Sequence, residues 1–164
     1  MIDRETVIER STELFIRNQL FNVRGYPQGG RRGITFLDTY PDNKRMERAL
    51  DSNYVAIGWS TDDGGKQAEL GSSLKRRLYT FDFYVFGISR VWGKNLASVI
   101  RFSAESDQVI PLVDPADPTK VIGHVDVDYC SAQQRVSATP RPWEENVWIV
   151  RLRLEDFYSS ALGG

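Results

Sequence analysis

VWIVRLRLEDF, Val147 to Phe157, is the most regular stretch of the chain. Trp148, Val150, Leu152 and Leu154 alternate with Ile149, Arg151, Arg153 and Glu155. Successive side chains of a strand point to opposite faces, so this pattern predicts a strand with one apolar face and one mostly charged face. Such a strand belongs at or near the middle of a sheet, with Trp148 turned into the core and Arg151 of little consequence for folding. LYTFDFYVF, Leu78 to Phe86, is richer still. It sets Tyr79, Phe81, Phe83 and Val85 on one face and Leu78, Tyr84 and Phe86 on the other. Both of its faces are expected to be covered.

Outward from these two, the same period of two marks Tyr54 to Ser60, Val109 to Val113 and Val121 to Tyr129, the last with Val125, Val127 and Tyr129 inward. Ile34 to Asp38 reads as a short strand. A helix opens the chain and runs to about Asn22, with Asp3 as N-cap and Glu5 in the first turn. At 100° per residue Val7, Ile8, Leu14, Phe15 and Phe21 share a broad face, whereas Ile16 and Leu20 lie off it and need a second partner, either a corner of the core or another subunit. Ser89 caps a second helix in which Trp92, Leu96, Val99 and Ser103 share a face bordered by Ile100.

The connections are equally distinct. Val23 to Gly33 holds four glycines, a proline and Arg24, Arg31 and Arg32 without an acid, which reads as a flexible basic arm. Pro41 to Asn43 reads as a turn, and the charged stretch Lys44 to Arg48 as a short helical turn. Thr61 to Ser73, with its Asp62-Asp63-Gly64-Gly65 turn signal, is too long for a tight hairpin and reads as an exposed loop or hairpin arm. Asp114 to Thr119 is a proline-containing turn, Ser131 to Pro142 an irregular connection, and Ser159 to Gly164 a frayed tail. Helix, strands, helix and strands again is the order of a single α+β domain over residues 1–164, a mostly antiparallel sheet with two main helices packed on it.

Composition narrows the function classes. With 164 residues the chain can bury roughly 70% of its extended-chain surface. Hydrophobic residues at 41% and charged residues at 26% are those of a globular domain. A net charge of -1 supplies no overall drive toward nucleic acid or anionic lipid. Cys130 is the sole cysteine, which excludes an internal disulfide and a cysteine zinc cage and suits a reducing cytoplasm. The opening MIDRETVIER does not resemble a secretory signal, and no run of about 18 apolar residues occurs. Neither membrane insertion nor common export is expected.

Catalytic material is sparse. His124, Asp126 and Asp128 share one strand face and could bind a divalent metal in a small hydrolase. Outward polar residues are also what a half-solvated strand carries, and that reading is preferred. Gly29-Gly30-Arg31-Arg32-Gly33 has the residue types of an anion cradle but the spacing of neither a Walker loop nor a dinucleotide fingerprint. Lys75-Arg76-Arg77 beside an aromatic strand loosely resembles a nucleic-acid surface, and more simply marks a solvated strand entrance. Cys130 reads as a small strand residue, and Trp143 with Trp148 as core or interface anchors. No catalytic residue, metal or cofactor is expected.

Three segments carry a resemblance to a family. IDRETVIERSTELFIRNQLF looks like the N-terminal helix of the tail terminator proteins of long-tailed double-stranded DNA phages. LYTFDFYVFGISRVWGKNLASVIRF is similar to that family's strand followed by a helix, and RPWEENVWIVRLRLEDFY to its Trp-rich closing segment and final strand. The resemblance implies a structural virion protein, assembled in the host cytoplasm and placed at the head-tail junction. It implies a homohexameric ring that ends growth of the tail tube, with the major tail tube protein on one side and a head-tail connector or stopper protein on the other. Genome DNA would pass through the lumen without sequence-specific binding. Another neck component, a head completion or stopper protein, shares the same small α+β form. A closed ring needs heterologous contacts, one surface of a subunit against a different surface of the next. Ile16, Leu20, Arg24, Arg31, Arg32, Asp62, Asp63, Lys75 and Arg76 are the candidate interface residues.

Overall fold

The computed structural model describes residues 3–37, 52–67, 74–106, 109–135 and 147–159. Helix α1 spans Arg4–Asn18 and continues as a wider π-helical turn over Gln19–Val23. β1 is Ile34–Leu37, β2 Asn53–Gln67 and β3 Leu74–Phe86. Helix α2 covers Arg90–Ser106, followed by β4 at Val109–Asp114, β5 at Asp117–Gln134 and β6 at Val147–Ser159. The expected turn at Pro41 to Asn43, the helical turn at Lys44 to Arg48, Trp143 and the tail beyond Ser159 lie outside the described residues.

The strands form one six-stranded sheet in the order β1-β2-β3-β6-β5-β4. β1 runs parallel to β2, and every other pair is antiparallel. The α+β class therefore holds, and the sheet is mostly antiparallel but mixed, because β1 joins it in parallel. A parallel pair needs a crossover of a dozen or more residues, and segment 38–52 has that length. β3 and β6 take the centre, paired without a break from Leu74↔Ser159 to Phe86↔Val147. Both faces of β3 are covered as expected: Leu78 through Phe86 are buried apart from Tyr84, which is half-buried.

Both helices contribute to one core with Val55, Tyr79, Phe81, Phe83, Val85, Val150, Leu152 and Leu154. Trp148 packs against it, in the register that the alternation of β6 predicts. A smaller cluster, Leu37, Phe86 and Val147 with Tyr54 and Tyr84, lies on the other face of the sheet. Asp3 caps α1, its carboxylate accepting from Thr6 N at 2.9 Å and Thr6 Oγ1 at 2.8 Å, and these bonds hold it below the usual carboxylate range. Ser89 caps α2 by accepting from Trp92 N at 3.3 Å. Strand β3 turns into α2 through Gly87, where an added Cβ would lie 2.4 Å from Gly93 N, so no larger residue fits that approach.

The face of α1 differs from the sequence expectation. Ile16 and Leu20 are fully buried members of the core, while Leu14 is exposed. The inward face is Val7, Ile8, Ser11, Thr12, Phe15 and Ile16. Two small polar residues sit on it, each satisfied: Thr12 Oγ1 donates to Ile8 O at 2.7 Å, and Ser11 Oγ accepts from Val113 N at 3.0 Å. An apolar-only face omits them and so rotates away from the true one. Ile16 and Leu20 therefore offer no surface to a neighbouring subunit.

Candidate interaction surfaces

The arginine-bearing connection between α1 and β1 is an ordered turn, contrary to the flexible arm expected. Tyr26 N donates to Leu20 O, Ile34 N to Pro27 O, Gly29 N to Ile34 O and Gly33 N to Gly30 O, all within 2.9–3.1 Å. Gly25, Gly29 and Gly30 adopt positive φ, and a Cβ on Gly33 would lie 1.7 Å from Gly29 O. The carbonyl of Gly33 is gripped from below by Asn53 N at 3.2 Å, Asn53 Nδ2 at 3.3 Å and Ser52 Oγ at 3.2 Å. Asn53, buried, also accepts from Ile88 N at 3.2 Å, which ties the turn to the start of α2.

On this base Arg24 and Arg31 to Arg32 stand exposed. Arg24 lies over the Phe102 ring of α2, 5.5 Å from its centroid, and donates to Ser103 Oγ at 3.2 Å. Arg31 and Arg32 make no ion pair among the described residues. Val23 at 63% and Phe102 at 60% exposure set an apolar surface beside Arg24.

The second surface is the β4–β5 hairpin, at the other end of the strand order. From Asp117 through Ile122 the strand is exposed on both faces, with Val121 at 51% and Ile122 at 50% exposure. The turn carries Asp114 and Asp117, which make local bonds: Asp114 Oδ1 accepts from Ala116 N at 2.9 Å, and Asp117 Oδ1 from Thr119 N at 3.1 Å and Thr119 Oγ1 at 2.6 Å. The Thr119 hydroxyl, then its amide, hold the Asp117 carboxyl below its ordinary value. A groove of 340 Å³ separates this turn from α1, lined by Arg10, Leu14, Arg17, Val113, Pro115 and Pro118 among others. That groove accounts for the exposure of Leu14.

Of the loop or hairpin arm expected over Thr61 to Ser73, Thr61 to Gln67 belongs to β2, which remains paired with β3 out to Gln67↔Lys75, with irregularities on either side of Asp63. Asp62 and Asp63 fall in β2, Lys75 and Arg76 in β3. Arg76 is committed within the chain, its Nε 2.6 Å from Glu155 Oε1.

The face of β5 and β6 turned from the helices is polar. His124, Asp126 and Asp128 are exposed there, and among the described residues no group of three or more His, Cys, Asp or Glu is arranged to hold a metal ion. A bulge between Val127 and Tyr129 resets the alternation, so that Tyr129 is exposed and Cys130 buried, against the expected inward Tyr129. Burial pushes the Cys130 thiol up to about 12, and its Sγ lies 3.8 Å from Arg101 O. Arg151 grips buried Asp82 in a bidentate pair at 2.8 and 3.0 Å. On the helix side Arg4 does the same for fully buried Asp156, at 2.6 and 2.8 Å, anchoring the start of α1 to β6. Among the described residues no helix is long and apolar enough to cross a membrane. No family model matches the chain, and no curated protein matches its sequence.

Proposed function

We propose that this chain is a structural virion protein, the tail terminator subunit of a long-tailed phage. In this reading six copies close into a ring on the head-proximal end of the tail tube, stop its growth and offer a different surface to the head connector. The observation that carries the reading is where the family-like segments fall. They are α1, the β3–α2 unit and β6, the elements that meet in the main core. β1, β2, β4 and β5 add Ile34, Val55, Ile110, Leu112, Val125 and Cys130 to the same core, and among the described residues the arginine turn, the outer β2–β3 pairing and the tip of the β4–β5 hairpin lie at its periphery.

Tube subunits stack without limit because each added ring presents the same end as the last. A cap must match that end on one face and present different chemistry on the other. Unlike loops mounted on a rigid sheet suit such a task, and no catalytic group or cofactor takes part in it. The test is to add the purified chain to polymerising tail tube subunits from the same phage. Shorter tubes, each bearing labelled chain at one end only, are expected. Unchanged lengths with no end label would overturn the proposal.

A further inference from the structure

β5 and β6 are neighbours in the sheet for only part of their length. They pair from Gln134↔Trp148 to Asp126↔Glu155 and no further. Beyond that row β6 runs on to Ser159 paired with β3 alone, and β5 runs on to Asp117 paired with β4 alone. From Asp117 to His124, β5 therefore carries a second strand edge inside the sheet, roughly 26 Å long at the usual strand rise. Among the described residues no hydrogen bond reaches this edge from another element.

The pairing with β4 shows which groups face it. Val113 N donates to Ser11 Oγ at 3.0 Å, so it is turned away from β5, and Pro111, two residues earlier, shares that orientation and has no N–H. Ile110 and Leu112 are left to bond their partners Val125 and Gly123. His124, opposite Pro111, then aims its N–H and C=O at the open edge.

The two outermost strands are guarded. On β4, Pro111 lacks a donor and Ser11 takes the amide of Val113. On β1, Ile34 N donates to Pro27 O and Ile34 O accepts from Gly29 N, so the glycine turn lies where a strand would add. The β5 edge has no such device: the stretch after Pro118 holds no proline, and Val121 and Ile122 are exposed, one toward each face. Such an edge is a template for a further strand. It is also preformed, because α1 is bonded to β6 through Arg4 and Asp156 and to β4 through Ser11 and Val113, one bond on each side of the split.

We propose that the β5 edge from Asp117 to His124 takes an added strand from a different polypeptide. The occupant is an extended segment of about six to eight residues with an apolar side chain toward each face where it passes Val121 and Ile122. Main-chain hydrogen bonds supply the affinity, and the apolar side chains decide which segments fit. A second copy is a poor donor, since its own outermost strands are guarded in the same way. The site does not depend on the tail reading.

A synthetic probe tests it: a capped, fluorescein-labelled octapeptide with four valines at its centre and a threonine and a lysine on each side. Its anisotropy should rise on titration with the wild-type chain, and the amide hydrogen of His124 should exchange more than about tenfold more slowly in the complex. Of the two forms of the peptide with alternate amides methylated, the one whose methyl groups meet β5 should bind more than about tenfold more weakly. His124→Pro copies the guard of Pro111 onto β5 and should abolish binding, with circular dichroism melts to show that the variant is folded. If it is not, the methylated peptides decide alone. Absence of binding to the wild-type chain, unchanged affinity of both methylated forms, or unchanged affinity of folded His124→Pro overturns the proposal. So does a wild-type chain that self-associates, excludes the peptide and becomes monomeric on His124→Pro, since the edge then belongs to a second copy.

Discussion

β6 and β5 lie side by side in the sheet, yet they do different work. β6 pairs with β3 along its whole length without a bulge, and Val150, Leu152 and Leu154 are fully buried. β5 is longer, carries a bulge at Asp128, and leaves its first third, Asp117 to Ile122, exposed on both faces. A strand buried on schedule serves stability and has nothing left to offer a partner. A strand that leaves apolar residues in solvent contributes little to the fold and is free to be used. The difference separates the buried framework of this protein from the apolar surface that it leaves exposed.

The sharpest break of that comparison is Leu152→Ala in β6, which should cost about 2–5 kcal/mol by removing a fully buried side chain. Denaturant titration checks it, and a cost under about 1 kcal/mol would mean that β6 is not central to the core. Next in size is Arg151→Ala, expected to cost about 1–3 kcal/mol because it strips buried Asp82 of its bidentate partner. Replacing Asp82 by Asn in the same chain should return part of that loss. A neutral Arg151→Ala would place the charged face of β6 outside the stability of the fold.

Within β5, Cys130 is with Val125 one of two residues that reach the core. Its folded pKa is raised to about 12 from an ordinary value of 9.0. A raised folded value means that its contribution is intact below pH 9.0 and is lost as pH climbs from there toward 12. At pH 8 iodoacetamide should therefore alkylate the native thiol far more slowly than the thiol in urea, and equal rates would contradict its burial. The smallest expected effect is Ile122→Ala, within about 0.5 kcal/mol on the fold, since the side chain is already in solvent. A melt shifted as far as that of Leu152→Ala would show the hairpin to be part of the framework.

The framework was the legible part. Alternation located β3 and β6, Ser89 and Asp3 announced their helices, and the glycine signals of the α1–β1 connection fell where the turn is. What escaped depends on contacts remote in sequence. Ser11 belongs to the inward face of α1 only because Val113 offers it an amide. Arg151 matters because Asp82 is buried opposite it in β3. The parallel sense of β1 and the bulge at Asp128 leave no periodic trace, since one inverts a direction and the other inserts a residue. The exposure of the hairpin apolar pair does leave a trace: Val121 and Ile122 are adjacent, so a strand must turn one to each face, and both stay exposed only where neither face is covered.

A chain that ends a tail tube must be missed when it is absent, and electron microscopy of lysates from a phage lacking its gene shows whether it is. Filled heads without tails are expected and, apart from them, tail tubes of abnormal or uncontrolled length. Tails of normal length but free of heads would point to a head-side neck protein, and normal-length tails joined to heads would rule out the terminator role.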